Sequence, residues 1–192
     1  LYAMGSTSSI CQGISSDLDI WVCVSSIIPE HEIFLLTEKC HFISTFFKAL
    51  GADINLFVTA DDRFISGQHG TLDTEDCGSA QSLFLLDEFY RSSFRLSGRY
   101  IIWYMVTPQE EDQDYYGAVR SLYESGRVDN QLWFDFGSVA KSSAAEYFGS
   151  GLWLLYKGID HPFKAALKIL LMEVYANEYS HTKLLSSVLK SR

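Results

Sequence analysis

The sequence predicts an α+β fold, a small mixed β-sheet with packed helices followed by a C-terminal helical portion, and three patterns carry that expectation. Residues 17–24 alternate polar with apolar before the apolar end Ile20-Trp21-Val22-Cys23-Val24, and residues 52–59 alternate in their first half, the period of half-buried strands. Residues 30–50 space apolar side chains at three- and four-residue intervals ahead of Gly51, an amphipathic helix with a glycine stop. Residues 144–156 and 161–189 read as two or three helices, broken at Gly158 and at His161-Pro162, where proline suits a first helical turn.

The elements follow in order. Residues 1–4 form a short strand delivering Gly5-Ser6-Thr7 to a turn of small polar residues. The strand of residues 17–24 comes next, then the helix of residues 30–50, expected to pack by its aromatic face, with His31 and His41 at the surface. The strand of residues 52–59 suits a place beside the first acidic strand. Residues 60–79 hold acids and glycines with few large apolar side chains and read as a loop. Residues 81–97 have helical spacing up to Gly98, with Asp87-Arg91 a pair on one helix edge. Residues 99–106 read as a buried strand ended by Pro108, residues 109–114 as acidic and exposed, residues 115–125 as a helix stopped by Gly126, and residues 130–137 as a packed turn. On the later helical part, Lys164 and Lys168 are four apart and share a face, opposite Leu167, Ile169, Leu170 and Leu171.

Composition bounds the function. A chain of 192 residues, 47% hydrophobic and 15% aromatic, can bury a sizeable core. Its formal charge of −9 speaks against a nucleic-acid surface, which needs clustered Lys and Arg. Without an apolar run long enough to span a bilayer, the expectation is a soluble, cytoplasmic protein. The four cysteines lack metal-ligand spacing, so zinc is not expected. The chain runs from its first residue straight into the small-residue turn and ends just after an amphipathic helix, which reads as a fragment of a longer protein. The expected division is a catalytic core over residues 1–107 and a helical portion over residues 108–192.

The chemistry concentrates in residues 4–23. Asp17 and Asp19 stand two apart in a strand, so their carboxylates project from one face. Upstream, Gly5, Ser6 and Thr7 offer close backbone approach, amide hydrogens and hydroxyls to phosphate oxygens. A phosphate cradle followed by an acidic pair is an arrangement that holds magnesium against a triphosphate.

Gly-Ser, a polar spacer and Asp-x-Asp in an apolar strand resemble the signature of polymerase-β-type nucleotidyltransferases. The stretches GSTSSICQGISSDLDIWVC, EDCGSAQSLFLLDEFYR and EYFGSGLWLLYKGIDHPFKAALKILLMEVY resemble, more closely, the catalytic domain of class I adenylate cyclases of the enterobacterial type, over nearly the whole chain. The resemblance implies a nucleotidyltransferase-type sheet, conversion of ATP to cyclic AMP and pyrophosphate, and two Mg2+ ions, with Mn2+ as a substitute. It also implies a C-terminal regulatory region answering to the sugar phosphotransferase system. The metal ligands expected on this basis are Asp17, Asp19 and, on the neighbouring strand, Asp53; the loop acids Asp61, Asp62, Glu75 and Asp76 are alternatives for the third carboxylate, and Asn55 is a neutral one. Substrate-binding candidates are Gly5, Ser6, Thr7, Trp21 as an adenine wall, Arg63, Arg91, Lys164 and Lys168, with Lys157 behind them. A transferase acting on an external hydroxyl acceptor, or a non-catalytic nucleotide-binding module, would carry the same residues.

Overall fold

In the computed structural model, which describes residues 1–5, 13, 16–64, 82–139 and 144–192, the buried apolar strand β1 (Tyr2–Met4) is paired on both sides. The four-stranded sheet has the order β3-β2-β1-β4, with β2 spanning Leu18–Val24, β3 Ile54–Ala60 and β4 Phe94–Arg95. β1 is antiparallel to β2 and to β4, and β2 is parallel to β3, so the sheet is mixed and the α+β class holds. The parallel β2–β3 step needs a crossover, and helix α1 (Glu30–Ala49) supplies it.

Helix α1 packs on β3 by a narrow line, Cys40 with the half-buried Ile33, Leu36 and Ile43. Its aromatic residues point outward instead: Phe42 is 71% exposed, and Phe34 and Phe46 are more than half exposed. The helix carries apolar residues on two faces, and only one can meet the sheet.

Helix α2 (Ser82–Ser92) ends five residues before the expected stop. Phe94 and Arg95 are instead drawn into β4, because β1 needs a partner on its second edge: Ala3 pairs with Phe94 and Tyr2 with Arg95. The expected strand of residues 99–106 shortens to β5 (Tyr100–Ile101), which pairs with β6 (Trp133–Phe134), and a 3-10 turn over Ile102–Met105 follows. The end of β5 and the turn together bury the consecutive Ile101, Ile102 and Trp103, which an alternating strand with one open face could not.

Pro108 does not end a strand but opens a helix. Thr107 caps α3 (Pro108–Glu124) in a reciprocal box with Glu110, and the helix bends at Asp114, whose backbone is non-helical. Glu111, inside the run expected to be exposed, is only 4% exposed. Its carboxylate accepts from Trp103 Nε1 at 2.7 Å, Ser138 Oγ at 3.0 Å, the Val139 amide at 3.2 Å and Lys190 Nζ at 3.0 Å. Burial lowers the pKa of Lys190, opposed by the Glu111 charge beside it.

The C-terminal portion is α4 (Ala144–Lys157), α5 (Pro162–Asn177) and α6 (Leu185–Lys190). On α5, Ala165 and Tyr175 are buried and Leu171 and Met172 half-buried, whereas Leu167 and Leu170 face outward. The Lys164–Lys168 side therefore does not lie opposite one apolar stripe; it borders the buried side. Among the described residues, no helix is long and apolar enough to cross a membrane. Cys23 and Cys40 are free, and burial pushes the Cys23 thiol up to about 12.

The core is aromatic. Phe89 on α2 packs on Tyr2 of β1 with ring centroids 5.3 Å apart, on Trp21 of β2 at 4.8 Å and on Phe136 at 5.2 Å. Phe89→Ala should cost about 3–5 kcal/mol of folding free energy, whereas Phe42→Ala should change it by no more than about 0.5 kcal/mol. Urea unfolding of both variants checks this, and comparable losses at the two positions would contradict the packing.

Candidate functional site

Strands β2 and β3 are parallel and start at the same end of the sheet, where the antiparallel β1 finishes. Leu18 stands opposite Ile54, and Asp19 lies between Asn55 and Met4. The Leu18 amide donates to the Asp53 carbonyl at 2.8 Å, which brings the residues just ahead of the two strands together. Gly5, Asp17, Asp19 and Asp53 are thus gathered at one sheet end. Gly5 has φ +71°, a conformation that favours glycine, and it turns the chain away directly beside Asp19.

A cleft of about 270 Å³ opens between this sheet end and helices α2, α4 and α5. Asp17 contributes from the sheet, Arg91 from α2, Trp153 and Lys157 from α4, and Lys164 and Lys168 from α5. Pro162 starts α5 so that Lys164 falls in its first turn and Lys168 one turn later, on one side of the helix.

The cations differ in their engagement. Lys168 Nζ donates to Glu88 Oε2 at 2.7 Å, and Arg91 Nε donates to Asp87 Oδ2 at 3.3 Å. Lys157 Nζ lies 5.0 Å from the centre of the Trp153 ring. Lys164 has no ion pair with a described residue, yet its charge is felt at both Asp19 and Glu88. Burial pushes Glu88 up, but the Lys168 ammonium and its hydrogen bond, with the charges of Arg91 and Lys164, together hold that carboxyl below its ordinary value.

Asp19 is the perturbed carboxylate of the sheet end. Burial pushes its pKa up; the Asn55 amide, donating to Oδ1 at 3.1 Å, pulls it down; the charges of Asp17 and Asp53 raise it again, and Lys164 opposes them. The net direction is upward. Oxygen donors of this kind are those magnesium takes, and three anions repelling one another describe a place that a cation would relieve. Among the described residues, no three His, Cys, Asp or Glu side chains are close enough to hold a metal ion as they stand. The donor chemistry fits magnesium, with the carboxylates spread along the sheet end; Asp53 is exposed there and Asn55 is engaged with Asp19.

Other expected residues are elsewhere. Trp21 does share β2 with Asp19, but it is 6% exposed and stacked on Phe89 at 4.8 Å and Phe64 at 5.6 Å, inside the core. Asp61 and Asp62 open a 3-10 turn, Asp61–Arg63, at the far end of β3. Seven residues of strand separate them from the acidic end, on the order of 20 Å at the usual rise. Asp61 there accepts the Ser26 amide at 2.8 Å. Arg63 belongs to the same distant turn. Ser6, Thr7, Glu75 and Asp76 lie outside the described residues.

Sequence reasoning passed over Asp87, Glu88, Trp153 and His161, which also line the cleft. Trp153 and Lys157 had a signal, an aromatic and a cation one helical turn apart. Asp87 had one too, but the Asp-Arg spacing reads as a weak surface pair, and here the carboxylate is buried.

Residues 1–104 match the family model described as the adenylate cyclase NT domain, and residues 142–192 match that of the adenylate cyclase, class-I, second domain. The chain is 46% identical over 192 residues to an adenylate cyclase of Escherichia coli (strain K12) and to one of Shigella flexneri, covering 100% of this chain and 22% of each of those proteins. It is 45% identical over 190 residues to an adenylate cyclase of Yersinia pestis, covering 99% of this chain and 22% of that protein. The chain therefore spans about a fifth of the length of these relatives. No solved structure matches it.

The raised pKa of Asp19 has a thermodynamic consequence. A carboxyl that holds its proton more tightly when folded than when unfolded favours the folded state at low pH, and that contribution is lost as pH rises through the elevated folded pKa. At neutral pH the Asp19 charge is a burden on folding. Asp19→Asn should therefore melt higher than the parent at pH 7, with the gap closing below about pH 4, the ordinary aspartate range. Thermal scans across pH check this, and a variant that melts lower at pH 7 would contradict the electrostatic reading of the sheet end.

Proposed function

The chain belongs to the adenylate cyclase family whose N-terminal domain model it matches over residues 1–104, and on that premise we propose that it converts ATP to 3′,5′-cyclic AMP and pyrophosphate. The observation that carries this reading is the convergence of Asp17 with Arg91, Lys164 and Lys168 at one cleft, from residues as far apart in sequence as 17 and 168, with Asp19 within reach of the Lys164 charge. We further assign the sheet to the polymerase-β nucleotidyltransferase type, supported by Asp17 just ahead of β2, Asp19 near its start and the parallel β3 beside it.

In this reading the triphosphate occupies the cationic side of the cleft. Lys164, without an ion pair among the described residues, and the Nη edge of Arg91 neutralise phosphate oxygens. Lys168, shared with Glu88, adds a point charge. The backbone at Gly5 approaches the phosphates closely because no side chain intervenes. Adenine meets the apolar wall of Trp153, Leu154, Leu171 and Met172, a role in which Trp153 replaces the buried Trp21. Asp17 and Asp19, with Asp53 as third, would hold two magnesium ions, which supply Lewis acidity to the reacting hydroxyl and phosphate when bound.

The ribose 3′-hydroxyl gives up its proton to solvent and its oxygen bonds to the α-phosphorus, the bond from the α-phosphorus to the bridging oxygen breaks, and pyrophosphate leaves. The chain aligns the ribose and phosphate and stabilises charge on the departing pyrophosphate; such transfers need little covalent help from protein. Family membership also favours a cytoplasmic setting and control by further chain answering to the sugar phosphotransferase system, both parts of this proposal.

Incubation with ATP and magnesium should yield cyclic AMP and pyrophosphate without any added acceptor. Asp17→Asn should lower that rate by at least about a hundredfold, the scale of losing one charge-organising group, and Lys164→Ala should raise KM about tenfold, or about 1.4 kcal/mol. Turnover only with an external hydroxyl acceptor would make the chain a transferase. ATP binding by calorimetry without any turnover would make it a binding module.

A further inference from the structure

Asp87 lies at the floor of the cleft on α2 and is 1% exposed. Its Oδ2 accepts from Arg91 Nε at 3.3 Å and from the Tyr175 hydroxyl at 3.2 Å, and its Oδ1 accepts from the Ser186 amide at 2.9 Å. The Tyr175 oxygen accepts in turn from the Leu185 amide at 2.7 Å. One carboxylate thus meets a cleft cation on α2, a tyrosine on α5 and the start of α6, whose cap residue Leu184 provides no side-chain hydrogen bond.

Two of these three contacts do not require a charge. An amide oxygen at position 87 could accept from Ser186, and a hydroxyl partner could be met by many neutral groups. A buried ionised carboxylate is costly unless a cation compensates it. Among the described residues the cation touching Asp87 is Arg91, engaged through Nε alone, so its four Nη hydrogens are left for the cleft. A guanidinium held at Nε is fixed in rotation, and its Nη edge has the fork geometry that recognises phosphate oxygens.

We propose that Asp87 is a positioning residue for substrate phosphate: it aims the Nη edge of Arg91 into the cleft, and through Tyr175 and Ser186 it makes that aim depend on the seating of α6. The proposal rests on the reading of the cleft as the triphosphate site. It reaches a residue that touches no substrate, and it links the C-terminal helix to nucleotide affinity.

The test is calorimetric binding of ATP in magnesium buffer to the whole chain, with Asp87→Asn, Arg91→Ala, the double variant and Tyr175→Phe, together with the Nε–H signal of Arg91 in proton–nitrogen NMR. Asp87→Asn should weaken ATP binding about tenfold and shift the Arg91 Nε–H signal. In the Arg91→Ala background the same change should add little further loss. Tyr175→Phe, which keeps the Asp87 charge and covers the case in which Asp87→Asn does not fold, should weaken binding a few-fold and move the same signal. If Arg91→Ala leaves ATP affinity unchanged, the triphosphate reading of the cleft fails and the proposal with it. If Arg91→Ala weakens binding while Asp87→Asn and Tyr175→Phe leave affinity and the Nε–H signal unmoved, or if the losses at positions 87 and 91 simply add, the cleft reading stands and Asp87 is structural only.

Discussion

The seating of α2 on the sheet through Phe89 is the contact on which the rest depends. The Phe89 ring touches β1 through Tyr2, β2 through Trp21, and the segment after β6 through Phe136. An aromatic side chain in such a junction buries a large area and fixes ring geometry as well as distance. The opposite side of the same helix carries Asp87, Glu88 and Arg91 into the cleft. Eleven residues of α2 therefore couple the core to the site: packing at position 89 sets where the charges at 87, 88 and 91 stand relative to Asp17 and Asp19.

The short helix α6 shows how the C-terminal part is tied to that arrangement. Its first turn gives the Ser186 amide to the buried Asp87, and its last turn gives Lys190 Nζ to the buried Glu111, 3.8 Å above the Trp103 ring. Each carboxylate is almost wholly removed from water, and each is compensated by a cation and by neutral donors. Removing one member of such a set is far more costly than its worth as a surface pair, because the others lose their solvation partner. The same logic explains charge in the cleft. In a chain of net charge −9, Arg91, Lys157, Lys164 and Lys168 cluster around one opening, so local composition there opposes the global balance and suits an anionic ligand.

Much of this was legible in residue order. Period-2 alternation marked β2 and placed Asp19 at its start, although Asp17 falls just ahead of the strand; the helix stop at Gly51 put β3 next in line, and four-residue spacing put Lys164 and Lys168 together. What could not be read is which face meets which neighbour. Trp21 shares its strand with Asp19, but α2 covers Trp21 through Phe89, a fact of tertiary packing alone. Phe94 and Arg95 have no strand signal of their own; they become β4 because β1 has an open edge. Glu111 sits in a run of acids that looks solvated, and only the indole hydrogen of Trp103 and the ammonium of Lys190, distant in sequence, make its burial tolerable. Asp61 and Asp62 lie next to β3 in sequence, and strand length alone carries them to the wrong end of the sheet.

On the proposed function, the strand-end carboxylates and the cleft cations form one nucleotide site. Its most direct measurement is paramagnetic broadening of backbone amide signals when Mn2+ and ATP are added together to the isotopically labelled chain. Broadening confined to residues around Gly5, Asp17, Asp19, Asp53 and Lys164, with Asp61 and Asp62 left sharp, is the predicted result. Broadening centred on Asp61 and Asp62, or spread evenly over the surface acids, would contradict it.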